Sequence, residues 1–178
     1  MSIPMQLSHL LILVLASGCS ININITQQNA ENVLMPGSTL ELTQALKMPA
    51  YRASFIIQDG VIKSDFTNDQ YYPYCRLEMK KPTTTKRVIV PGIFTVTKIY
   101  THTEFALRNP VKLASMGIIS STPSDEIYST IIYLSSDKNP GVELLACEHW
   151  EDPNGFAQHL SLKQIKDTLD GVFIINEK

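Results

Sequence analysis

The chain has 178 residues, 44% of them hydrophobic and 18% charged, with a formal net charge of −2. That apolar content excludes a disordered chain, and the nearly balanced, well-mixed charge gives no electrostatic basis for capturing nucleic acid or an anionic lipid surface. The length suits one domain with a substantial core.

In chain order, the first signal is an apolar run from Leu10 to Ala16, which leads into Ser17, Gly18 and Cys19. An apolar core of about seven to fifteen residues before small side chains is the export pattern, and it falls short of the roughly twenty residues needed to span a bilayer. Small residues let a peptidase grip an extended backbone, and the cysteine thiol is the point of diacylglycerol attachment. Ala16-Ser17-Gly18-Cys19 resembles the end of a bacterial lipoprotein signal peptide. Two features depart from that pattern: Ala16 stands where leucine is commoner, and residues 1–9 contain no Lys or Arg. The resemblance implies a signal peptide over residues 1–18 and lipid on Cys19. Because Ser20 rather than Asp follows, it also implies an outer-membrane, periplasm-facing location. Acyl chains contribute about 0.8 kcal/mol per buried CH₂, so two or three hold a protein firmly. The competing reading is a buried N-terminal strand or helix carrying an ordinary core cysteine.

Residues 19–37 read as the lipidated cysteine plus a polar tether, Asn/Gln-rich and nearly uncharged, with Pro36-Gly37 marking its end. Within it Ile21, Ile23 and Ile25 alternate with Asn22 and Asn24, the period of a short strand. Residues 38–178 are then a single β-rich domain.

Strand signals dominate that domain. Thr39–Leu46 alternates about Leu40 and Leu42, and Tyr51–Gln58 and 61–64 flank Asp59-Gly60, a strong hairpin turn because both residues tolerate positive φ. Ala53, Phe55 and Ile57 are expected to share a face. Tyr74–Lys80 sets Cys75, Leu77 and Met79 against Tyr74, Arg76 and Glu78, which places Cys75 on the apolar side. Residues 81–87 read as a polar loop, followed by Val88–Val90 and then Ile93–Thr101. In the latter Phe94, Val96 and Lys98 are set against Ile93, Thr95, Thr97 and Ile99. Residues 109–125 read as a surface loop. Ile127–Ser135 and Val142–His149 are strong strand candidates. Ser161 and Gln164 form a capping box before Leu162, Ile165, Lys166 and Leu169 at helical spacing, and Gly171 sits where a helix ends. Val172–Ile175 closes the chain as a short strand. Many strands and one late helix predict a mainly β fold, an antiparallel sandwich or partly open barrel with a C-terminal helix.

With Cys19 set aside, Cys75 and Cys147 remain, both on apolar strand faces. In an oxidising compartment an even pair reads as one disulfide across the core, with two separate buried thiols as the alternative.

Chemical motifs are sparse. Cys147, Glu148, His149 and His159 are the densest set of metal ligands, but a structural zinc site wants four ligands and commonly a close cysteine pair. His102-x-Glu104 and a hydroxyl-rich loop lack the glycine-flanked serine of a nucleophile elbow, and no phosphate loop is present. Glu148, Glu151 and Asp152 surround Trp150, a composition that serves glycoside cleavage only when two acids converge on a cleft. These patterns predict neither an enzyme nor a cofactor. Tyr71, Tyr72 and Tyr74, with Trp150, are the best candidates for a contact surface, because tyrosine buries area at low entropic cost.

The residues Tyr74-Cys75, Pro91-Gly92-x-Phe94-x-Val96, Leu145-x-Cys147 and Leu160-x-Leu162-x-x-Ile165 are similar in order to a group of small proteobacterial outer-membrane lipoproteins of unassigned function. That resemblance spans about residues 50 to 175 and implies a two-cysteine β domain without an active site. The expectation is a lipid-anchored, non-catalytic envelope protein that docks a protein partner, for instance as an accessory subunit of an assembly such as a secretion apparatus. A periplasmic glycan- or small-molecule-binding module is the alternative.

Overall fold

The computed structural model describes residues 34–63, 67–106, 125–151 and 158–178. The expected signal peptide over residues 1–18, Cys19, the Ile21–Ile25 alternation, most of the 109–125 segment and Asp152 lie outside the described residues.

Among the described residues ten strands and one helix follow in order: β1 (Thr39–Leu42), β2 (Leu46–Met48), β3 (Ser54–Gln58), β4 (Val61–Lys63), β5 (Tyr74–Met79), β6 (Arg87–Ile89), β7 (Gly92–Ala106), β8 (Asp125–Ser135), β9 (Val142–Glu151), α1 (Leu162–Leu169) and β10 (Phe173–Asn176). Eight strands form one antiparallel sheet in the order β10-β1-β7-β8-β9-β5-β3-β4, and β2 and β6 form a second. The large sheet curls into a half-barrel, the mainly β, partly open architecture that the strand signals predict.

Its inner face carries the core. Leu40, Phe94, Ile132, Leu145, Leu77 and Ile57 are fully buried there, and the helix adds Leu162, Ile165 and Leu169 to the same cluster. The helix begins as expected: Ser161 accepts from the Gln164 amide, and the Gln164 side chain returns to the Ser161 backbone. Gly171 follows with φ 74°, in the left-handed region that favours glycine. The β3–β4 turn contributes at the same end. Asp59 and Gly60 have φ 52° and 69°, the double positive φ of the tightest hairpin turn. The Gly60 N–H donates to the Thr168 carbonyl at 3.0 Å, so the hairpin tip satisfies a terminal carbonyl of α1. A side chain at Gly60 would lie 2.4 Å from the Asp170 carbonyl.

Three local expectations are corrected. The strand predicted over Thr39–Leu46 is two, because the Thr43 N–H donates to the Val172 carbonyl, closing β1 and releasing Leu46–Met48 to pair with β6. The strand predicted from Tyr51 starts at Ser54, since Tyr51 itself turns with φ 62°. The third correction matters most. The β7–β8 register shifts between Val96 and Lys98, so Thr97 is an extra residue in the ladder. A bulge reverses which residues face the core. Phe94 and Val96 point inward before it, whereas Ile99 packs against the core after it and Lys98 turns outward.

Candidate functional site

The disulfide sets the register of the site. Cys75 on β5 and Cys147 on β9 are bonded and lie directly opposite each other, with Cα atoms 4.0 Å apart. The pair therefore joins neighbours in one sheet on its core side, rather than bridging a core between two layers. Successive residues point to opposite faces, so the neighbours of these cysteines, Tyr74, Arg76 and Glu148, project from the outer face. Tyr74 stands opposite Glu148, Glu148 opposite Ser129, and Ser129 opposite His102, a single row across β5, β9, β8 and β7.

These residues line a groove of about 540 Å³, together with Ile127, Ile131, Trp150, Tyr100, Glu104 and Gln70. Without the Thr97 bulge, Tyr100, His102 and Glu104 would face the core. The bulge makes β7 one wall of the groove.

Glu148 forms the floor and is 6% exposed. Its Oε2 accepts from the Tyr74 hydroxyl at 3.0 Å, and its Oε1 from Arg76 Nη2 at 3.1 Å and Ser129 Oγ at 3.3 Å. Arg76 also donates through Nε to Glu78 at 2.6 Å. Burial opposes the Arg76 charge, but Glu148 and Glu78 more than offset it, and the guanidinium pKa is raised. Burial, then the charge and hydrogen bond of Glu148, push the Tyr74 hydroxyl pKa well above the usual phenol range. A carboxyl group already accepting from three donors is a fixed structural acceptor. Ser129 gives its proton to Glu148, and His102 Nε2 is engaged with Glu104 Oε1 at 3.1 Å. Serine and histidine thus share a row, yet their hydrogen bonds lead away from a nucleophile–base pairing.

The predicted aromatic surface separates into two parts. Tyr74 is buried, with its hydroxyl on Glu148. Tyr71 and Tyr72 are exposed on the preceding loop, and Tyr71 meets Trp150 edge to face at 6.4 Å between centroids. The Tyr71 hydroxyl donates to Asp125 Oδ2 at 2.7 Å. The loop is held by Gln58, 3% exposed. Its Nε2 donates to the Asp69 carbonyl at 2.7 Å, and its Oε1 accepts the Asp69 N–H at 3.0 Å. The Trp150 N–H donates to the Gln70 carbonyl at 2.8 Å, which ties the loop to the end of β9.

The other sequence candidates do not assemble. Cys147 is bonded to Cys75, Glu148 faces outward, and His149 Nε2 lies 2.8 Å from the Gln158 carbonyl. Among the described residues no group of three or more His, Cys, Asp or Glu could hold a metal ion. Glu148 and Glu151, three residues apart on β9, point to opposite faces, so these two acids do not converge. Sequence reasoning missed the roles of Arg76, Ser129 and Gln58. Pairing Cys75 with Cys147 in adjacent strands would have found the first, because that register sets Tyr74 against Glu148 with Arg76 on the same face; Ser129 needs the separate β8–β9 register.

No family model, curated protein sequence or solved structure matches the chain.

Proposed function

We propose that this chain is a lipid-anchored, non-catalytic envelope protein, tethered through Cys19 to the periplasmic side of an outer membrane, that docks a protein partner on the outer face of its sheet. The address rests on the Ala16-Ser17-Gly18-Cys19 signal, and the disulfide suits an oxidising compartment. The observation that carries the docking role is the groove itself: an internally satisfied Arg76–Glu148–Tyr74 floor under a rim of Gln70, Trp150 and Tyr100. A floor with its donors and acceptors already matched needs little reorganisation on binding, and rigid aromatic side chains around it bury area at low entropic cost.

A second reading, a glycan- or small-molecule-binding module, is favoured by the groove volume of about 540 Å³ and by the nearness of Trp150 and Tyr100 to polar groups. The test compares wild type with Cys19→Ala in intact cells by radioactive palmitate labelling and by crosslinking with mass spectrometry. The reading predicts label and a specific protein adduct for wild type, with the label lost and the adduct depleted in the variant. An unlabelled wild-type chain, or recovery of the monomer alone, would contradict it.

A further inference from the structure

β7 is followed by β8 along its length to Ala106, but on its other edge β1 covers only Gly92–Thr95. Among the described residues no strand lies along that outer edge beyond Val96. The direction of its backbone groups follows from the disulfide. The 4.0 Å Cα separation of Cys75 and Cys147 marks a non-hydrogen-bonded antiparallel pair, which has about 4.5 Å against about 5.5 Å for a bonded one. Cys147 therefore turns its N–H and C=O toward Thr130 on β8, and the β7 partner of Thr130, Thr101, turns its own groups outward. By alternation Ile99, Thr103 and Phe105 also present backbone groups to the outside, and Phe105 is 68% exposed.

An unpaired edge is a template for another strand, and proteins commonly blunt it with a lysine. Here Lys98 is matched by a Glu104 placed symmetrically about Thr101. We infer that the outer edge of β7 pairs with the same edge of a second copy, antiparallel about a two-fold axis at Thr101. In that register Lys98 faces Glu104 of the second copy and Tyr100 faces its His102, each pair occurring twice and all on the outer face. Thr101 meets its own equivalent through the outward backbone groups. Moving the axis to Tyr100 sets Lys98 against His102, and moving it to His102 sets Glu104 against Tyr100, so both shifts lose the opposite-charge pairs. A one-residue slip would set outer-face residues against core-face ones, which the pleat forbids.

The pairing makes one continuous sheet of two half-barrels. Tyr100, His102 and Glu104 line the groove, so each groove gains a wall from the second copy. This inference is independent of the docking role, since it concerns the edge rather than the groove floor.

Sedimentation velocity of the purified full chain in a non-ionic detergent tests it, with Lys98→Glu, Glu104→Lys and the double swap. Wild type should be a dimer. Each single swap, which creates two like-charge pairs, should weaken it by about tenfold or more, and the double swap should restore it. A second measurement, amide exchange, should show protection of Ile99, Thr101 and Thr103 that falls on dilution. A monomeric wild type, indifference to the single swaps, or failure of the double swap to restore association would overturn the inference. So would protection independent of concentration, which would place a strand of the same chain on the edge.

Discussion

Tyr74 and Glu148 meet on the outer face of the sheet, hydroxyl to carboxylate at 3.0 Å, because Cys75 and Cys147 meet on the inner face one residue away. One covalent bond on the core side thus fixes the register of the polar row on the other. The disulfide serves stability and site geometry together.

The first prediction concerns that bond. It closes a loop with a sequence separation of 72, for which chain entropy assigns roughly 4 kcal/mol, within the 2–5 kcal/mol seen when native disulfides are removed. The Cys75→Ala/Cys147→Ala double variant should lower the thermal midpoint by about 5–15 °C. Differential scanning calorimetry checks this, and wild type under strong reductant should move in the same direction.

A second prediction separates the partners on the groove floor. Arg76→Met leaves the buried Glu148 carboxylate with only Tyr74 and Ser129 as donors. The side chain of Arg76 is 37% exposed and that of Glu148 8%, so the cost falls below that of breaking a fully buried pair, at about 1–3 kcal/mol. Glu148→Gln keeps a hydrogen-bonding group for each neighbour and lets Arg76 turn toward Glu78 and water, so it should cost less. Urea denaturation of both variants measures the order.

The third prediction is a pH dependence. Tyr128 lies between two imidazoles, stacked on His149 at 5.7 Å and edge-on to His159 at 5.4 Å. Burial, then the charge of His149 and more weakly that of His102, lowers the His159 pKa below its ordinary 6.5. Its Nδ1 is buried without a hydrogen-bond partner. A histidine with a depressed folded pKa contributes full stability above the unfolded value, and that contribution is lost as pH falls from there through the folded value. The thermal midpoint should therefore drop as pH falls below about 6.5. In His159→Gln the drop should be shallower, as read from melts at matched ionic strength; an identical slope in the variant would contradict the assignment.

Much of the architecture was legible because local chemistry and global fold agree. Asp59-Gly60 turns where two positive φ values are needed, and Ser161 with Gln164 caps the helix as their spacing predicts. The alternation about Cys75 and Cys147 puts both on the apolar face. What escaped the sequence is non-local. The Thr97 bulge exists only relative to β8, and nothing in the Phe94–Ile99 pattern marks the residue at which the inward face changes parity. The groove draws on β5, β7, β8 and β9, so its row from Tyr74 to His102 could be read only once the disulfide was known to join adjacent strands rather than opposite layers. Gln58 looked like the end of a strand, and its role in holding the Tyr71–Tyr72 loop depends on residues 11 to 15 positions away.

The central claim, that this face docks a partner, is tested most directly by site-specific photocrosslinking in living cells. A photoreactive residue replaces Gln70, which is exposed and lines the groove, or Ile93, also exposed, at the start of β7. The account predicts one discrete protein adduct from position 70, absent from position 93 and depleted by Trp150→Ala. Equal adducts from both positions, or an adduct from position 93 alone, would contradict it.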